Sequence, residues 1–257
     1  IIYFSQEGKL NNNVRTYLNQ INDIPGVKMA SSIGHKLMGT NNNTSGLDWP
    51  GKDPIADILF ENVRVNYDML EVLGLELKEG RTFAREFASD STNIIFNEAA
   101  IKVMGLEDPI GKTITLWGQY KMQIVGVVKD FHYQSLHEKV KPLFFHLAPE
   151  STEFVMARLE AGREKEALMG LQEHYQSYNP GFTLEYKFMD DTYQSLYKAE
   201  QRVSVLSRYF AGMAIIISCL GLFGLASFTA ERRKKEIGIR KALGSNVFQI
   251  MYLLSSD

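Results

Sequence analysis

One cysteine, Cys219, occurs in 257 residues, so no intrachain disulfide can form. The shortage does not assign the chain to the cytosol, because a core of this size needs no covalent staple. Neither sign of charge is in excess: 28 Lys+Arg against 30 Asp+Glu leave a net charge of −2. That balance removes the electrostatic reason to expect a nucleic acid partner. Catalytic signatures are missing too. There is no G-x-S-x-G, no H-E-x-x-H and no G-x-x-x-x-G-K-[ST], hence no recognisable nucleophile elbow, zinc helix or nucleotide-binding loop. The sharpest absence is local, for residues 209–229, YFAGMAIIISCLGLFGLASFT, hold no formal charge at all.

A bilayer core is spanned by about 20 apolar residues in a helix, and this run has that length. The competing reading is a buried core helix, but such helices usually keep a polar face, and here only Ser218, Cys219, Ser227 and Thr229 are available. Its position rules out a signal peptide. The cations that follow set its direction. Arg232, Arg233, Lys234, Lys235, Arg240 and Lys241 come directly after the run, and the positive-inside rule puts that end in the cytoplasm. Residues 230–257 carry a net +3 and residues 1–208 a net −5. Residues 1–208 are therefore expected outside, in the periplasm where the cell has one, and 231–257 inside. No leader precedes Ile1, and the chain stops within the apolar VFQIMYLL, so a fragment of a larger multi-pass protein is expected.

Residues 1–33 read as strand, helix, strand. IIYFS is apolar and β-prone; Asn11 to Asn13 are placed to cap a helix whose Val14, Leu18 and Ile21 share a face; Pro25-Gly26 stops it before VKMAS. Residues 153–188 repeat that grammar. EFVMARLE alternates, Leu168, Leu171, Tyr175 and Tyr178 stripe a helix, Pro180-Gly181 stops it, and FTLEYKF alternates again. Two β-α-β units flanking an insertion predict a split β-α-β layer within an α+β fold. The insertion, 34–140, opens with a Gly/Asn-rich loop, 39–54. It continues with a strand at 63–65, a short helix at 67–75, the strand NIIFN and the helix EAAIKVMG. A hairpin about Gly118-Gln119 joins TITLW to YKMQIVGVV, and most strands are expected to be antiparallel. From Asp190 the apolar spacing turns helical, with no Gly or Pro before Gly212. One helix is expected to rise as a stalk over 190–208 and enter the membrane over 209–229.

Few residues suggest chemistry. Asp130, His132, His137 and Glu138 cluster in KDFHYQSLHEKVKP, but the two histidines are five apart, whereas helical metal ligands want a spacing of four. Asp190-Asp191 reads as a helix cap rather than a carboxylate dyad, and Asp108 to Lys112 as a turn. No catalytic residue, metal or cofactor is expected. On the apolar helix, Ala214 and Ser218, with Gly221 near the same face, have the small-residue spacing that lets helices approach. Beyond it, Glu231 and Lys235, and Glu236 and Arg240, are pairs four apart in the favourable order. Ile239, Leu243, Val247, Ile250 and Leu254 form an apolar stripe. The segment reads either as a stop-transfer signal on a lipid-facing helix or as a docking element.

ERRKKEIGIRKALGSN closely resembles the cytoplasmic signature of FtsX/MacB-type ABC transporter permeases, R-x-x-E-I-x-[IL]-x-[KR]-A-[LIV]-G. GLFGLASF, GRTF, NEAAIKVMG, DPIGKTI, GVVKDFHYQSLHE and KPLFF are similar to segments of the same family in its Bacteroidetes-type members. The resemblance spans nearly the whole chain. It implies a porter-like subdomain, 1–33 and 141–188, split by a sabre-like insertion, 34–140. A stalk, a transmembrane helix and a cytoplasmic coupling segment, 231–257, follow. It further implies that Glu236, Ile237, Ile239, Arg240, Lys241, Leu243 and Gly244 meet a cytoplasmic ABC ATPase subunit. The other implied partners are membrane lipid, a second permease half in a homodimer or pseudo-dimer, and a periplasmic adaptor. A single-pass sensor with its effector beyond Asp257 is the alternative, told apart by a signalling domain where a permease carries further apolar spans. An anchored extracytoplasmic enzyme would need a clustered polar site.

Overall fold

The structure is a computed structural model. It describes residues 1–37, 42–131, 139–244 and 246, with 195–202 and 240 described by their backbone alone. The chain divides into two compact units, Ile1–Leu196 and Tyr197–Asp257.

The first unit opens with β1 (Ile2–Ser5), α1 (Leu10–Ile21) and β2 (Val27–Ile33). Short strands β3 (Asn43–Thr44) and β4 (Leu47–Asp48) precede β5 (Phe60–Val65), α2 (Met69–Leu73) and β6 (Leu77–Gly80). Then come β7 (Asn93–Asn97), α3 (Glu98–Met104), β8 (Thr113–Leu116), β9 (Tyr120–Val128) and β10 (Leu143–Leu147). β11 (Phe154–Leu159), α4 (Glu164–Tyr178) and β12 (Tyr186–Phe188) complete the sheet, and α5 runs over Met189–Arg232.

The two β-α-β units interleave as expected. Their strands lie in the order β12-β1-β11-β2, every neighbour antiparallel. One face is closed by α1 and α4, where Leu10, Tyr17, Ile21, Leu171 and Tyr175 join Ile2 and Phe4 in one apolar cluster. Helix α1 starts earlier than Asn11–Asn13 suggest. Lys9 is its N-cap, and Asn13 sits inside it at φ −139, ψ 32 as a kink. The cap comes from across the layer: Lys9 N–H donates to Asn179 Oδ1 at 3.0 Å, and Asn179 Nδ2 donates to Glu7 O. FTLEYKF yields only the three-residue β12. Gly26, at φ +84, turns the chain into β2 where a Cβ would press on Arg163 O.

The sheet continues from β2 into β5 through the pair Ile33 and Val65, then runs β10-β7-β9-β8-β4. β3 adds to β5, and β6 to β9. The 39–54 segment, expected as a loop, thus carries two strands, and Trp49 beyond them is buried. Two pairings, β5 with β10 and β7 with β9, are parallel, and the other five among the described residues are antiparallel, so most strands of the insertion pair antiparallel as expected. Its expected end at 140 is corrected. Residues 143–147 pair with β5 and β7, not with the split layer. LFF is apolar on both faces because Leu143 and Phe145 enter one cluster and Phe144 another.

In α5, the stretch Val203–Arg232 holds an 18-residue window of mean hydropathy 2.1, no part of which is buried within the chain. A buried core helix needs cover that the described residues do not supply, so the stretch fits a membrane span. Helix α6 (Lys234–Ala242) follows after a break at Arg233, φ −99 and ψ 11.

Candidate functional site

The segments that carry the family resemblance in the first unit meet around β6, β7, β9 and the start of α3, and there they act as clasps. In GRTF, Arg81 forks onto Asp90 at 2.9 and 2.6 Å. Asp90 is 0% exposed and also accepts from Ala84 N–H and Asn93 Nδ2. Burial opposes its ionisation, but these donors together outweigh that and hold the carboxyl below its usual range. Gly80, at φ +77, lies against Val125 O and the Gly126 Cα, so a side chain there would push β6 off β9.

Asn97 of NEAA caps α3. Its Oδ1 accepts from Ala100 N–H at 3.0 Å and from Leu143 N–H at 2.9 Å. Asp130 adds a second tie, accepting from Ala99 N–H at 2.9 Å while its own N–H donates to Glu98. Lys78, 2.7 Å from Glu98, leads the contacts that lower the Glu98 pKa. Gly111 of DPIGKTI donates its N–H to Ile124 O, which fixes the expected turn against β9.

Asp130 is a helix clasp; His132, His137 and Glu138 lie outside the described residues. Asp190 and Asp191 stand in the first turn of α5, where acids complement the helix dipole. Among the described residues, no three His, Cys, Asp or Glu side chains are grouped to hold a metal.

The second unit presents the candidate coupling residues. In α6, Ile239 is 63% exposed and Leu243, its C-cap, 81%. Gly244 at φ +94 ends the turn, its N–H donating to Lys241 O. Gly238 falls inside α6. Glu231 pairs with Lys234 at 2.9 Å, three residues on, instead of Lys235. The Arg240 side chain and the stripe residues Val247, Ile250 and Leu254 lie outside what is described. On α5, Ser218 Oγ donates back to Ala214 O at 2.8 Å, which satisfies the hydroxyl within the helix. Gly221 has open space where a Cβ would stand.

Residues 3–171 match the family model of the MacB-like periplasmic core domain. The chain belongs to the MacB/FtsX-type transporter permeases. This permease chain is 22% identical over 249 residues to the uncharacterized ABC transporter permease YknZ of Bacillus subtilis, covering 90% of itself and 59% of that protein. It is 24% identical over 217 residues to the macrolide export ATP-binding/permease protein MacB of Sodalis glossinidius, covering 76% of itself and 33% of that protein. It therefore spans less than two thirds of these relatives. The crystal structure of the periplasmic region of MacB from Actinobacillus actinomycetemcomitans shares the fold, with a TM-score of 0.51 at 16% identity over 76% of this chain and 91% of that one. A MacB-like periplasmic core domain followed by a helix that fits a membrane span makes the permease chain a membrane protein with an extracytoplasmic segment.

Proposed function

We propose that this chain is the part of an ABC transporter permease subunit that converts ATP hydrolysis by a cytoplasmic partner into movement of an extracytoplasmic domain. The observation that carries the reading is α6, a separate helix after the candidate span, with Ile239 and Leu243 exposed among cations. An apolar pair on a short helix suits a groove in a partner, and the flanking Lys and Arg suit anionic lipid. On this reading residues 1–208 face the periplasm, with a porter-like layer and a sabre-like insertion. Residues 231–257 face the cytoplasm, in the cytoplasmic (inner) membrane. Glu236, Ile237, Arg240, Lys241 and Gly244 complete the docking surface for the ATPase subunit. Ala214, Ser218 and Gly221 face a second permease half, in a homodimer or pseudo-dimer, and the outer domain works with a periplasmic adaptor. The movement serves efflux or mechanical signalling across the membrane.

The test is made in the longer protein that contains this chain, reconstituted with its ATPase. Leu243→Asp and Glu236→Lys are expected to separate ATP hydrolysis from transport while membrane insertion stays intact. Normal coupling in both variants reduces the cations to a topology signal and overturns the docking role.

A further inference from the structure

Trp117 sits at the tip of the β8–β9 hairpin with φ +52, a left-handed conformation that is an outlier for a bulky residue. The surrounding chain is built to hold it there. Its N–H donates to Gly46 O, and its indole Nε1 donates to Thr44 Oγ1 at 3.1 Å. Gly46 lies so close that a Cβ would meet the indole at 2.5 Å. Despite these ties the side chain is 44% exposed.

Two further rings stand at right angles to it. Tyr120 is 6.1 Å away at 85°, and His146 is 6.2 Å away at 84°. Together they wall a cleft of about 370 Å³. Burial, with Arg64 nearby, pushes the His146 pKa down to about 4, so its imidazole is uncharged at neutral pH. Its Nε2 is enclosed without a hydrogen-bond partner among the described residues. The rest of the cleft offers the hydroxyls of Ser91 and Thr92 and the amide of Gln119; among the described residues that line it, Lys121 is the one charge and there is no carboxylate.

We propose that this cleft binds a pyranose ring of an oligosaccharide. Fixed aromatic rings match the C–H face of a sugar, and uncharged donors and acceptors beside them match its hydroxyls. The lysine and the missing carboxylate disfavour a cationic ligand, for which an aromatic cage would otherwise serve. The site lies wholly in the first unit and uses none of the coupling residues.

The full chain in lipid nanodiscs, free of sugar detergents, is titrated with oligomers of β-1,4-linked N-acetylglucosamine and with maltotetraose. The readout is iodide quenching of intrinsic fluorescence. Only two tryptophans are present, and Trp49 is 6% exposed, so quenching reports Trp117. At least one probe is expected to protect Trp117, and Tyr120→Ala and Gln119→Ala to weaken that protection, Tyr120→Ala by about tenfold in affinity. The native emission of Trp49 in Trp117→Ala checks that the fold survives. Failure of both sugars to protect overturns the proposal. So does undiminished affinity in Tyr120→Ala, or protection by a tryptophan- and proline-containing peptide where the sugars give none.

Discussion

The two units place the same side chains on opposite sides. In Ile1–Leu196, the Ile, Leu and Phe residues of the sheet close into three clusters among the described residues, with Phe96, Phe144 and Phe145 at 0% exposure. In Val203–Arg232 the same types stand 56–71% exposed, from Leu206 to Phe223. Residue type alone does not decide burial; the cover over each face does. Successive strand residues point to opposite faces, and Phe144 and Phe145 are both buried because each face of the sheet is covered, whereas a helix apolar all round and uncovered needs lipid or another helix around it. Polar groups divide likewise. The first unit spends Asp90, Asn97 and Asp130 on holding backbone together, and the second turns Ser218 and Thr229 back onto their own helix.

The largest expected effect breaks the first unit alone. Asp90→Ala strands Arg81 and leaves the Ala84 N–H and Asn93 Nδ2 without their acceptor, and removing the buried partner of an ion pair costs about 3–5 kcal/mol. Both tryptophans lie in that unit, so urea unfolding followed by tryptophan fluorescence isolates it. An unchanged midpoint refutes the clasp. The second breaks the other unit. Leu220→Arg puts a cation in the middle of the apolar stretch and should cost about 3 kcal/mol of insertion free energy. A translocon insertion assay measures this, and undiminished insertion argues that the helix is not a span.

The third separates the units by pH. His146 has a folded pKa of about 4, below the ordinary value near 6.5, so between those values the unfolded chain binds more protons. The first unit's stability is then fully present above pH 6.5 and falls as pH drops toward 4, by up to about 3 kcal/mol. His174, lowered by burial, adds in the same direction. The second unit has no histidine and should show no such loss. His146→Asn is expected to flatten the denaturant midpoint over this range; an unaltered pH profile sinks the assignment.

Legibility followed locality. The α1 and α4 faces, the Pro-Gly stops and the apolar span could be read because period and punctuation are properties of neighbouring residues. Strands β3 and β4 could not, since two residues make a strand only when β5 and β8 lie beside them. Nothing local in LFFHL says that it pairs with Glu61–Val65 in parallel. The Arg81–Asp90 fork depends on a tight 3-10 turn, Ala88–Thr92, that no apolar period announces. The cleft at Trp117 rests on a positive φ beside Gly118, where sequence signals only a hairpin.

One detail of the split layer has a mechanical side. Ile1 O accepts from Met189 N–H at 2.9 Å, and Tyr3 OH and Thr192 Oγ1 are 3.0 Å apart. The start of β1 and the end of β12 are therefore neighbours, in antiparallel strands. A force that draws Ile1 and Met189 apart peels this edge like a zipper, one bond at a time. A force that drives both the same way leaves the edge unloaded and carries the whole layer along. The edge thus tolerates common motion at its two ends and gives way to opposed motion.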